Sequence, residues 1–505
     1  MNLNEGRLTM VRRLMGALLC ALMLSAGAGV AARADTSLPA VTGPVTGGNG
    51  VPIVFSGQPA DRLVGRETFD LASVGYTQSE FFLAGTANAY APAPGSTLTN
   101  DGRWTVEVTS QAPYKTRVVV NRPADKRDFN GTVVVEWLNV SGGADASPDW
   151  MQTHVELIRR GYAWVGVSAQ AVGLNGLKGP PPQGDPVRYE SLTHPGDSYS
   201  YDMFSQAGQA IRDDAGLLGG LHLDRVLAVG ESQSAGRLVT YIDAVHPVAR
   251  VYDGFLVDSR GAGGAPLAQP PLVPAPVTGA TPTFIRADLH VPVLVFNTET
   301  DVGSLQARQA DSARYRQWEV AGTAHFDQYG LLTGGTDTGG RSSVAEWFDT
   351  MLHPTSEPGV GFTCASPINT GPQTFVLRSA IAHLDRWVAR GTPPPRGPRL
   401  EAISIAPIQY ALDANGNVLG GIRTPAVDAP VATLSGLGQA GSHFCFLFGT
   451  TVPLTTEQLE ALYGSHGGFV AAWGEATVRA VIAGFLRPED AFNIAVVGAQ
   501  SDILR

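Results

Sequence analysis

One short stretch near the middle of the chain limits what it can fold into more than any other. Residues 226–229, Val-Leu-Ala-Val, form an apolar run of strand length that stops at Gly230-Glu231-Ser232-Gln233-Ser234, and apolar residues then resume at helical spacing in Arg237-Leu238-Val239-Thr240-Tyr241. An apolar run closed by glycine and reopened as a helix reads as strand, sharp turn, helix. Strand and helix pass close together in such a unit, so the second position after the serine takes only a small side chain. Ser234 meets that demand, and Ala235 and Gly236 are expected to keep the crossing tight. A strand that is apolar throughout belongs inside a parallel sheet, covered on both faces.

The flanking sequence repeats the same rhythm. Residues 132–138 read as a strand; Ser147-Pro148 supplies an N-cap and a first-turn proline for a helix that ends at Gly161, and residues 163–167 are the next strand. A helix over 202–218 precedes the central unit. Strands over 254–257, 291–296 and 315–320 and a helix over 375–390 follow it. Strands alternating with helices predict an α/β fold with a mostly parallel central sheet and helices on both faces. Alternating stretches within 66–88 and 103–122 predict an antiparallel opening to that sheet. Around a core at 65–392 we expect a flexible leader at 35–64, lid insertions near 172–200 and 259–290, and a C-terminal elaboration at 393–505 packed on the core, with a hairpin turn at Asp413-Ala414-Asn415-Gly416-Asn417.

The first residues carry a different signal. Arg7, Arg12 and Arg13 precede an apolar run over 14–24 and the small-residue stretch Ala32-Arg33-Ala34, the pattern of a secretory signal peptide cleaved after Ala34. The apolar run is too short to span a bilayer, so we expect a secreted or periplasmic protein without a membrane anchor. Cleavage would remove four arginines and Glu5, deepening the formal net charge from −10 to about −13. Such an acidic surface disfavours nucleic acid and anionic membrane as partners. Cys364 and Cys445 survive processing; in an oxidising compartment they are a candidate disulfide, with two buried thiols as the alternative. No spacing of a metal site occurs, and neither metal nor cofactor is expected.

A serine hydroxyl attacks an acyl carbon only with a base in hydrogen-bond reach and a third group to orient that base. Gly230-Glu231-Ser232-Gln233-Ser234 resembles the nucleophile elbow of the α/β-hydrolases, where acid and histidine follow the serine in that chain order. Ser232 is then the nucleophile. His325, in the loop after the 315–320 strand, is the general base. Asp301 is the first choice for the acid, ahead of Glu299 and then Asp258. Two backbone N–H groups must hold the oxyanion. Gln233 is expected to supply one, and the stretch Asn139-Val140-Ser141-Gly142-Gly143 the other, Asn139 first and Val140 next.

Taken with Gly166-Val167-Ser168-Ala169-Gln170, His194-Pro195-Gly196-Asp197 and Tyr201-Asp202-Met203-Phe204-Ser205-Gln206-Ala207-Gly208, these stretches resemble a family of bacterial, often exported, α/β-hydrolase-domain proteins over about residues 65–490. The resemblance implies an α/β-hydrolase fold and a serine hydrolase that acts on carboxylic esters. The substrate is expected to be small, neutral and partly apolar. An amidase or an acyltransferase would use the same residues, and a non-catalytic binding protein on this scaffold is the third reading.

Overall fold

The computed structural model describes residues 38–56, 68–181, 184–359 and 361–505; the expected signal peptide at 1–34 lies outside them. Nine strands make one sheet: β1 (Ala40–Thr42), β2 (Tyr76–Pro92), β3 (Val106–Pro123), β4 (Thr132–Trp137), β5 (Ala163–Val167), β6 (Arg225–Glu231), β7 (Gly254–Asp258), β8 (Val293–Asn297) and β9 (Tyr315–Glu319). Their spatial order is β1-β2-β3-β5-β4-β6-β7-β8-β9. The first three strands and the β3–β5 junction pair antiparallel, and every junction from β5 to β9 is parallel.

The parallel strands are buried, save Arg225 at the start of β6, because each carries apolar side chains to both faces. Val134, Leu227, Leu256 and Leu294 point into one core, and Val133, Val135, Val226, Ala228, Val257 and Val295 into the other, the two-residue period of a strand. Each such valine or leucine taken out of water contributes about 1.5–3 kcal/mol. Helices α1 (Pro148–Arg159), α2 (Ser200–Asp213), α3 (Gln233–Thr240), α4 (Arg341–Leu352), α5 (Gln373–Arg390), α6 (His466–Ile482) and α7 (Pro488–Gln500) cover the two faces. Residues of α2 and α3 enter the second core, and residues of α1, α4, α5, α6 and α7 enter the first. Residues 466–500 therefore pack into the first core through Phe469, Trp473 and Ile494.

Local departures from expectation have physical causes. Ser147 does precede α1, but its hydroxyl makes no capping bond. The Glu136 carboxylate of β4 takes the role instead, accepting from Asp149 N at 3.0 Å and Trp150 N at 2.9 Å. Anionic oxygens are favoured at a helix N-terminus, where backbone N–H groups have no internal partner.

The leader is not a flexible tail over its described part, 38–56. β1 pairs with β2; Arg188 donates to the carbonyls of Val45 and Gly47, and Asp185 accepts from Asn49 N and Gly50 N. A buried Arg117–Asp145 pair at 2.8 Å also binds it, since Arg117 donates to Val51 O. Of the described residues of 172–200, expected as a lid, those from Leu174 to Leu192 serve this leader instead. Leu174, Leu177, Tyr189 and Leu192 form a small core with Phe82, packed by Val45 and Val51.

Candidate active site

Ser232 stands between β6 and α3 with φ 59° and ψ −115°, a left-handed conformation that a side chain rarely adopts. The turn is fixed from outside, for Ser232 N donates to the Asp258 carbonyl at the end of β7. The tight point of the strand–helix crossing is Gly230, where an added Cβ would lie 3.1 Å from Leu238 Cδ1 and 3.2 Å from Ser234 Cβ. Gly236, expected to serve that purpose, is not close: its nearest neighbour would be Ala265 N at 3.7 Å.

Parallel register brings the ends of the strands level. Asp301 follows β8 and His325 follows β9; His325 reaches Ser232 beyond β6, and Asp301 reaches His325. His325 Nε2 lies 2.7 Å from Ser232 Oγ, and its Nδ1 lies 2.6 Å from Asp301 Oδ1. Thr298 holds the other Asp301 oxygen by donating from its N at 2.7 Å and its Oγ1 at 2.8 Å. The other two acid candidates are engaged elsewhere. Glu299 accepts from Gly322 N at 2.5 Å and Gly436 N at 2.8 Å, tying the β9 loop to the C-terminal region. Asp258 accepts from its neighbour Ser259 Oγ at 3.1 Å and has no bond to His325.

A fourth group, not foreseen from the sequence, joins this chain. Glu231 Oε1 lies 3.1 Å from His325 Nε2, the nitrogen that also faces Ser232. Asn139 Nδ2 holds Glu231 by donating to its Oε2 and to its carbonyl, each at 3.1 Å. Burial works against a charged imidazole, but Glu231 and then Asp301 outweigh it and raise the His325 pKa to about 9. Burial pushes the Glu231 carboxyl up to about 7 in spite of His325. The same burial, with Glu231 and Asp301 adding repulsion, raises Asp258. Glu231 carried no signal of its own, since its place in the turn accepts many residue types.

The oxyanion expectation needs a correction. Asn139 N donates to Ala146 O at 2.9 Å and so is not available to a ligand. The cause is a short antiparallel bridge, Asn139 with Ala146, which is itself paired with Val54 of the leader. Ser141 N is taken by Asn139 Oδ1 and Gly143 N by Val140 O, leaving the N–H groups of Val140 and Gly142 in this stretch. Gln233 is the first residue of α3, where a helix leaves its N–H groups unpaired.

Ser232, His325, Asp301 and Glu231 line a cavity of about 670 Å³. Of the expected lids only Ser259, Arg260 and Gly261 reach it, and no described residue of 172–200 does. Its apolar lining includes Phe55, Phe326, Phe362, Phe444, Phe446 and Phe448. Cys364 and Cys445 are bonded to each other and sit in a cluster with Phe326, Leu331, Ile368 and Phe448, against which Phe55, Phe362 and Leu447 pack. Among the described residues, no group of three or more His, Cys, Asp and Glu side chains is placed to hold a metal ion, and no helix is long and apolar enough to cross a membrane.

No curated protein sequence matches the chain. An esterase from Rhizomucor miehei is 14% identical, with 68% of this chain and 100% of that one covered and a TM-score of 0.30. A serine hydrolase without a lid from Xanthomonas campestris is 13% identical over 42% of this chain and 80% of its own, at a TM-score of 0.27. A carboxylesterase from Lactobacillus plantarum is 12% identical over 39% and 71%, at 0.23. The family described as alpha/beta hydrolase domain matches residues 41–495, nearly the whole of the sheet, the cavity and the C-terminal helices. By that match, and with the parallel sheet and the turn at Ser232 in place, this chain belongs to the alpha/beta hydrolase domain family.

Proposed function

We propose that this protein is an exported hydrolase of carboxylic esters that works through an acyl-enzyme. The observation that carries the proposal is the chain from Asp301 through His325 to Ser232, at 2.6 and 2.7 Å, with the serine on a strained turn facing a cavity. Ser232 Oγ attacks the acyl carbon and passes its proton to His325 Nε2. The N–H groups of Gln233 and Val140 hold the oxyanion. Collapse expels the alcohol, which takes the proton from His325. Water then repeats the sequence on the acyl carbon, and the acid leaves. Asp301 fixes the imidazole with Nδ1 protonated, so that Nε2 is the nitrogen presented to the serine. Glu231 lies against the imidazolium that forms at each transfer. The leading arginines and apolar run, together with the disulfide, support export into an oxidising compartment.

Ser232→Ala tests the proposal. Hydrolysis of p-nitrophenyl butyrate should fall about 10⁴-fold or more, labelling by a fluorophosphonate probe should vanish, and the melting temperature should hold. Activity retained by the variant would refute it.

A further inference from the structure

The aromatic lining of the cavity is more than a satisfied core. Phe446 is 62% exposed and Phe444 38% exposed, yet both line the cavity, so they stand at its mouth with apolar surface left to water. Exposed apolar surface beside a functional cavity is where a ligand is covered. Phe55 lies 4.8 Å from Phe326 in a tilted pair, and Phe362 lies 4.9 Å from the ring of His443, an exposed residue outside the lining. Rings at such separations and tilts present edges and faces to a further ring, an attraction that an alkyl chain does not receive.

The segment that carries these rings is held in place. Cys445 is bonded to Cys364; Ala365 N donates to Ala440 O, Asn369 N to Phe448 O, and Phe326 N to Leu447 O. The last of these ties the segment to the residue next to His325. Space is kept open beside it, because an added Cβ at Gly142 or Gly261 would meet nothing within 4 Å. A volume of about 670 Å³ suits a ligand of drug-like size, well beyond an acetyl ester. The ionisable side chains of the lining are turned to partners within the protein, Glu231 and Asp301 to His325 and Arg260 Nε and Nη2 to the carbonyls of Gly261, Ala262 and Thr283, an arrangement that suits a neutral ligand.

We infer that residues 444–448, tethered by the Cys364–Cys445 bond, form a specificity wall with Phe55, Phe326 and Phe362, and that the substrate is a neutral ester bearing an aromatic ring system on its acyl or alcohol side. This rests on the ester-hydrolase reading and names its substrate class.

The test compares wild type and Phe446→Ala, a change at an exposed position that the fold tolerates, on four esters followed by acid release: ethyl acetate, ethyl octanoate, ethyl 2-naphthoate and 2-naphthylmethyl acetate. Wild type should favour at least one naphthyl ester over ethyl acetate by about a hundredfold in kcat/KM. Phe446→Ala should cut that preference by up to about tenfold. Equal turnover of ethyl acetate and the naphthyl esters, a preference for ethyl octanoate over both, or a preference unmoved by Phe446→Ala would each overturn the inference while leaving ester hydrolysis intact. If no ester is turned over, the ester-hydrolase reading fails instead. Calorimetric binding of 2-acetonaphthone, weakened in Phe446→Ala, then decides the wall separately, and absence of binding overturns it.

Discussion

The polar and the aromatic parts of the cavity are built from different kinds of structure. Glu231 ends β6, while Asp301 and His325 follow β8 and β9, so the ladder of the sheet sets the distances between them. The phenylalanines come from short connecting stretches far apart in the chain, around 55, 362 and 444–448, and are gathered by a disulfide, a few main-chain bonds and ring contacts. Groups that exchange a proton need fixed separations, and rigid elements supply them. Side chains that select what enters can sit on loops, whose residues change without disturbing the sheet.

Breaking the polar part should have the largest effect. Asp301→Asn is expected to lower kcat about 10⁴-fold with little change in melting temperature. Glu299→Gln, by contrast, should cost about 1–3 kcal/mol of stability, because its oxygens serve two buried N–H groups, and should leave kcat within a few-fold. Asp258→Asn should also leave kcat within tenfold. A collapse of kcat in either of these variants would mean that the orienting acid is not Asp301. Replacing Cys364 and Cys445 together with serine attacks the aromatic part. Opening a bridge between cysteines 81 residues apart should cost about 4 kcal/mol, read from thermal unfolding. Turnover of ethyl acetate should survive below the new melting temperature while the naphthyl preference shrinks; loss of both alike would show that the two parts are not separable.

Glu231→Gln sharpens the comparison most finely. The histidine must be neutral to accept the serine proton, so with its pKa raised to about 9 the rate should climb with pH toward that value. Removing the Glu231 charge lowers the imidazole pKa, so the rising limb of kcat/KM should move to lower pH by about one unit or more. A purely structural role for Glu231 predicts a lower rate with the limb unmoved.

The two parts also differ in how far they could be read beforehand. Strands buried on both faces leave continuous apolar runs, so β4, β6, β7 and β8 were visible to within about two residues at their ends, and the residues just past them pointed to Ser232 and His325 and left Asp301, Glu299 and Asp258 as acids. Asn139 was misplaced as an oxyanion donor because its N–H is taken by a bridge to Ala146, and a single bridge leaves no period in a sequence. Phe362, Phe444 and Phe446 were missed for a related reason. They lie in stretches of neither helical nor strand spacing, where a phenylalanine reads as ordinary core. The leader looked mobile from its glycines and prolines. What holds it, Asp185 and Arg188, lies more than a hundred residues downstream.

The place of Phe55 in the cavity has a consequence in time. As the chain is made from its N-terminus, Phe55 comes early, the reacting side chains are complete at His325, and Phe444 to Phe448 arrive more than a hundred residues later. A nascent chain therefore holds Ser232, Asp301 and His325 before it holds residues 444–448 of the cavity's lining. The same late stretch brings Phe469, Trp473 and Ile494 into the first core, so the aromatic lining and the packing beneath the sheet are completed together.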